Sequence, residues 1–134
     1  MRTIKFRGKR VDNGEWAYGY LYYYQCKPSI SNELFEAPTY HDPAGSWIYN
    51  EHEIIPETVG QFTGLTDKNG VEIYEGDMAK IDEGLPVEVR YEKIYASFGI
   101  WRKGWAFLHY FHEAVEPENC EVIGNIHDNP ELLK

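Results

Sequence analysis

The sequence predicts an all-β fold of consecutive hairpins, arranged as a small barrel or half-open β structure, with one short helical turn at the C-terminus. Three observations predict it. Eleven Tyr, six Phe and four Trp make the chain 16% aromatic, and aromatic side chains fit the half-buried surface of a pleated sheet. Twelve Gly and seven Pro supply the residues that tight turns require. Stretches alternating between apolar and polar residues recur between these turn signals, the period-two pattern of strands. With 134 residues, the chain can bury about two-thirds of its unfolded surface. That is the length of one domain, with two β lobes, about 1–56 and 57–134, as a natural subdivision.

Residues 3–10 set Ile4 and Phe6 on one face against Lys5, Arg7 and Lys9 on the other, the pattern of a first strand. Val11, Asp12, Asn13 and Gly14 provide hairpin-turn chemistry. In the second strand, WAYGYLYYY, Trp16, Tyr18, Tyr20, Tyr22 and Tyr24 share one face, and Ala17, Gly19, Leu21 and Tyr23 the other. Residues 27–58 keep no consistent period and contain Pro28, Pro38, Pro43 and Pro56, so loops with strand pieces near Trp47–Tyr49 and Glu53–Ile55 are expected.

From Gly60 to Asp77 the signals sharpen into a strand, a turn at Lys68, Asn69 and Gly70, and a return strand through Val71, Ile73 and Tyr74. Residues 78–82 and 87–92 form the next pair, with Val87, Val89 and Tyr91 expected inward and Glu88, Arg90 and Glu92 outward. Residues 94–101 and 105–111 flank Arg102, Lys103 and Gly104 as a further hairpin. A last strand over 121–126 precedes Asn129 and Pro130, an N-cap and first helical residue for the terminal turn.

The formal charge of -9 opposes general phosphate-backbone binding and attraction to an anionic membrane surface. No apolar run approaches the roughly 18 residues of a membrane span, and the start of the chain lacks a signal-peptide core, so a cytoplasmic protein is expected. Cys26 and Cys120 are far apart and outside any Cys-x-x-Cys pair, so both read as plain thiols.

Several side-chain sets carry potential chemistry. The Trp16, Tyr18, Tyr20, Tyr22 and Tyr24 stripe suits sheet packing or a subunit interface, and as an alternative it could stack single-stranded bases. Residues 2–10 hold Arg2, Lys5, Arg7, Lys9 and Arg10 without an acid. Lys5, Arg7 and Lys9 are therefore candidate anion contacts, or partners for acidic surface on the same chain or a neighbouring copy. The histidines His41, His52, His109, His112 and His127 lack the spacing of a metal site. Glu75 and Asp77 would serve acid-base catalysis only if buried together with shifted pKa values. The simpler reading is a structural turn, in which Gly76 permits an unusual backbone angle and Asp77 accepts hydrogen bonds from nearby backbone amides. No nucleophile elbow or phosphate loop is present.

The segments IKFRGKR (4–10), ETVGQFTGLTDKNGVEIYEGD (57–77) and EVIGNIHDNPELL (121–133) resemble the YopX family. Gly64, Asp67, Asn69, Gly70, Tyr74, Glu75, Gly76 and Asp77 stand at that family's characteristic positions. The resemblance implies a small, β-rich phage or prophage protein that is prone to self-assembly and lacks an assigned activity, with residues 27–58 and 92–119 as its variable stretches. The expectation is a non-enzymatic, self-assembling module without cofactor or metal that binds an unidentified protein. The alternatives are a nucleic-acid-binding barrel using Lys5, Arg7 and Lys9 beside the Tyr stripe, and an enzyme resting on Glu75, Asp77 and the histidines.

Overall fold

The computed structural model describes residues 4–31, 40–41, 47–48, 51–93, 96–105, 109–110 and 117–133. The chain divides into two compact units, Met1–Gln61 and Phe62–Lys134. Strand is the dominant structure, and all pairings are antiparallel.

In the first unit β1 (Phe6–Lys9), β2 (Trp16–Tyr24) and β3 (Lys27–Ser31) are followed by the short pair β4 (Tyr40–His41) and β5 (Trp47–Ile48), and then by β6 (Glu51–Glu53). The sheet runs β6-β3-β2-β1, and Gly60 and Gln61 at the start of β7 (Gly60–Thr66) add beside β1. Ala17, Ile30 and Ile54 form the core, with Phe6, Leu21 and Val59 packed against them. Gly8 fits this core because a Cβ there would run into the Ile54 Cγ2 methyl. Burial on β1 therefore follows Gly8, and the expected inward residue Ile4, which precedes the strand, is 59% exposed.

β3 falls in the stretch expected to be mainly loop. Its Pro28 has no amide to donate, yet the Pro28 carbonyl accepts the Ile54 amide at 2.9 Å, so the ladder loses a donor and keeps an acceptor. Gln25 and Cys26 link β2 to β3 with φ of 50° and 64°. This is the doubly left-handed pattern of a two-residue hairpin, formed without glycine.

The second unit takes the rest of β7, then β8 (Glu72–Tyr74), β9 (Asp77–Ile81), β10 (Val87–Glu92), β11 (Ser97–Trp101), β12 (His109–Tyr110) and β13 (Cys120–Asn125). From Phe62 onward β7 pairs with β8, and the other five strands form a sheet ordered β12-β11-β10-β9-β13. Among the described residues neither sheet closes into a barrel, so the half-open alternative describes the fold. The terminal turn is a 3-10 turn, Pro130–Leu133. Ile73, Ala79, Val87, Val89, Ile100 and Cys120 make the core.

The inward and outward assignment of β10 changes near its ends. Glu88 is buried at 8% exposure, and Tyr91 is 38% exposed. Glu88 pairs with Arg90 at 3.0 Å, and the Arg90 guanidinium stacks 3.9 Å over Trp101, the residue opposite Glu88. Tyr91 packs edge-on against its register partner Phe98. The side opposite the Val87–Val89 core is thus a charge-on-aromatic stack, which covers Glu88 without bare burial of its charge.

The β7–β8 turn closes by Gly70 N donating to Asp67 O and Asp67 N donating to Val71 O. Gly70 has φ +82° with open space where a Cβ would stand. Asn69 keeps a negative φ, so Gly70 is the left-handed residue of the turn. Gly70→Val should cost about 1–2 kcal/mol from backbone strain alone. Lys68→Ala removes a half-exposed pair with Glu121 and should cost under about 0.5 kcal/mol. Thermal melts of the two variants test this, and equal melting temperatures would place the turn elsewhere.

Candidate functional site

The register of the first sheet brings the two candidate sets onto one face. Arg7 lies opposite Tyr18 and Lys9 opposite Trp16. Directly opposed residues of an antiparallel pair share a face. The same rule carries that face across β3 and β6, because Tyr20 opposes Ser31, Tyr22 opposes Ser29, and Ser29 opposes Glu53. From β1 to β6 the face therefore carries Arg7 and Lys9, aromatic rings, the buried side chains of Ser29 and Ser31, and Glu53, which pairs with Lys27 at 3.6 Å.

Both cations of β1 address one indole. The Arg7 guanidinium sits 4.6 Å and the Lys9 ammonium 5.6 Å from the Trp16 ring. Arg7 is buried, and a desolvated cation over an aromatic ring contributes on the order of 2 kcal/mol. Trp16 and Tyr22 are half-buried, whereas Tyr18 and Tyr20 are 45% and 42% exposed. Lys5 precedes β1 and is half-buried. Tyr24 ends β2, and its side chain lies outside the described residues. Tyr23, on the opposite face, is the most exposed of these tyrosines. Ser29, Ser31 and Glu53 were missed by the sequence reading; identifying Gln25–Cys26 as a two-residue turn would have placed Ser29 and Ser31, whereas Glu53 also needs the β3–β6 pairing.

The turn candidates gather elsewhere, in the second unit. Asp67 Oδ1 accepts the amides of Asn69 at 2.8 Å and Val71 at 2.9 Å, and Oδ2 accepts the amide of Val122 at 2.9 Å. Asp77 Oδ2 accepts the Tyr74 amide at 2.7 Å across the bend containing Glu75 and Gly76. Gly76 has φ 92°, donates its amide to Val89 O and accepts from Ile126 N. Asp77 is buried and Glu75 half-buried.

Burial raises the Asp67 pKa, but the amides of Val122, Val71 and Asn69 and the nearby Lys68 charge outweigh it, and the carboxyl sits below the ordinary aspartate value. The thiol of buried Cys120 is pushed up to about 11 by desolvation and then by the charges of Asp67 and Asp77. It is therefore a neutral thiol at pH 7, whereas Cys26 is exposed in the β2–β3 turn. Among the described residues no group of three or more His, Cys, Asp or Glu side chains could hold a metal ion. His52 and His127 are half-buried; the side chains of His41 and His109, and all of His112, lie outside the described residues. No helix among the described residues is long and apolar enough to cross a membrane.

Two open antiparallel sheets, a charge-graded aromatic face and aspartate-held turns define a small β protein organised around sheet surfaces. Residues 5–134 match the family model described as YopX protein, and the chain belongs to the YopX family. Among solved structures, it is similar to protein EF1440 from Enterococcus faecalis, known from a crystal structure. The two are 25% identical with a TM-score of 0.64, and the match covers all of both chains. No curated protein matches the chain.

The Asp67 contacts yield a pH prediction. Its folded pKa lies below the unfolded value of about 3.9, so its contribution to stability is fully present above about pH 4 and is lost as pH falls through the folded pKa. Asp67→Asn retains an oxygen for Asn69 and Val71 but sets an amide NH2 against the Val122 N–H. At pH 7 this should cost about 1–3 kcal/mol. Denaturant unfolding of both proteins from pH 7 to pH 3 should show their stabilities converging in acid.

Proposed function

We propose that this YopX-family chain is a phage- or prophage-derived, non-enzymatic module of the bacterial cytoplasm, which binds protein and assembles with copies of itself through the outer face of β2. The observation that supports this reading is the placement of exposed Tyr18 and Tyr20 between the β1 cations and Glu53 of β6. Tyr gives large, rigid contact area with a polar handle, which is why it is enriched at interfaces. A two-fold axis through the tyrosines would set the β1 cations of each copy over the edge of the other that carries Glu53, whose carboxylate pairs within its own copy with the exposed Lys27 at 3.6 Å. The face is in this sense self-complementary, as an isologous dimer interface requires.

A second reading draws on the same face. Arg7 and Lys9 beside Trp16 and Tyr18 form the cation-and-stacking combination that holds single-stranded nucleic acid. The formal charge of -9 opposes it for any long polyanion. Its phosphate contacts would weaken steeply with rising salt, so the absence of single- or double-stranded nucleic-acid binding at low ionic strength removes this reading.

Light scattering over a concentration series tests the leading proposal. The wild-type mass should rise with concentration, and Tyr18→Ser with Tyr20→Ser should weaken association about tenfold or more without changing the circular dichroism spectrum. A wild-type chain that stays monomeric at every concentration contradicts it.

A further inference from the structure

At one end of the five-stranded sheet, the end of β9, the loop over residues 82–86, the start of β10 and the end of β11 leave an open cavity of about 330 Å³. Ile81, Leu85, Val87, Ile100 and Trp105 give it apolar walls, and among the described residues Arg102 is the one charged residue lining it. This volume is within the range of pockets that hold small molecules, which are mostly apolar with a few placed polar groups. Backbone geometry fixes the cavity rim. Asp82 takes a left-handed φ of 52°, Gly84 donates its amide to Ile81 O, and Trp105 N donates to Arg102 O across the turn carrying Gly104 at φ 98°.

Arg102 also lines an adjoining cavity of about 280 Å³ that contains Met78, Pro86, Lys103 and Leu132, together with Glu131. Its guanidinium forms no ion pair or hydrogen bond with any described residue. Carboxylates outnumber cations in this chain by twenty-two to thirteen, and the half-buried arginines Arg10 and Arg90 each have a carboxylate partner. A half-buried arginine lining an apolar cavity is the arrangement that would recognise a carboxylate carried on an apolar body.

We propose that this cavity binds a small apolar monocarboxylate, with its hydrocarbon part against Ile100, Val87 and Trp105 and its carboxylate on Arg102. The aliphatic walls favour a flexible acyl chain or a single ring, and Arg102 supplies the preference for the anion over a neutral analogue of the same shape. The site belongs to the second unit alone and is independent of the β2 face.

Calorimetric titration of the full chain with hexanoate and with 1-hexanol tests the assignment. Hexanoate should bind about tenfold more tightly than the alcohol, the scale set by a charge-assisted hydrogen bond. Arg102→Gln should remove that preference and leave hexanol binding unchanged. Trp105→Phe should remove any change in tryptophan fluorescence produced by hexanoate while retaining saturable heat. Absence of saturable hexanoate binding at millimolar concentration overturns the proposal, as does equal hexanoate binding by the wild type and Arg102→Gln.

Discussion

The Asp67 carboxylate accepts amides from its own turn and from Val122, a residue 55 positions along the chain. Beside that contact, Lys68 N donates to Cys120 O at 3.0 Å. Cys120 O and Val122 N are two residues apart on β13, so they emerge on the same edge of the strand. That edge would otherwise offer open backbone groups to any passing strand. The central turn fills this part of the edge and gives β13 a neighbour on each side, β9 and the turn. The five-stranded sheet can therefore end at β13 without closing into a barrel. Gly70 makes the turn tight enough, and Asp67 attaches it to β13.

Arginine stacked on tryptophan is a second recurrent device. Arg7 and Lys9 on Trp16 occupy one face of β1 and β2, and Arg90 on Trp101 covers Glu88 across β10 and β11. Both solutions suit an aromatic-rich chain, because a flat ring accepts a cation on its face, and on β10 the stacked Arg90 also pairs with Glu88. On the first sheet the same device places charge at one margin of an exposed tyrosine surface, a feature that supports an interface reading.

Legibility in the sequence followed locality. The hairpin around Gly70, the pair β9–β10, the Arg102–Gly104 turn and the 3-10 turn at Pro130 all have their determinants within a few residues, and each lay near where the sequence placed it. β3 was obscured because Pro28 and the glycine-free Gln25–Cys26 turn both point locally away from a hairpin. Its strand character depends on β2 and Ile54, which are distant in sequence. Glu88 and Tyr91 broke the strict alternation because Arg90, Trp101 and Phe98 altered what each residue had to cover. The cationic and aromatic candidates were readable individually, but their shared face needed the β1–β2 register, and Ser29, Ser31 and Glu53 needed two further strand pairings.

Amide hydrogen exchange in Asp67→Ala measures the central contact directly. If the carboxylate holds the turn to β13, the amides of Asn69, Val71 and Val122 lose protection together, while Arg90 and Gly99, opposed in the β10–β11 ladder, remain the slowest to exchange. Unchanged protection at Val122 would contradict the account, because the strand would then be held without the aspartate.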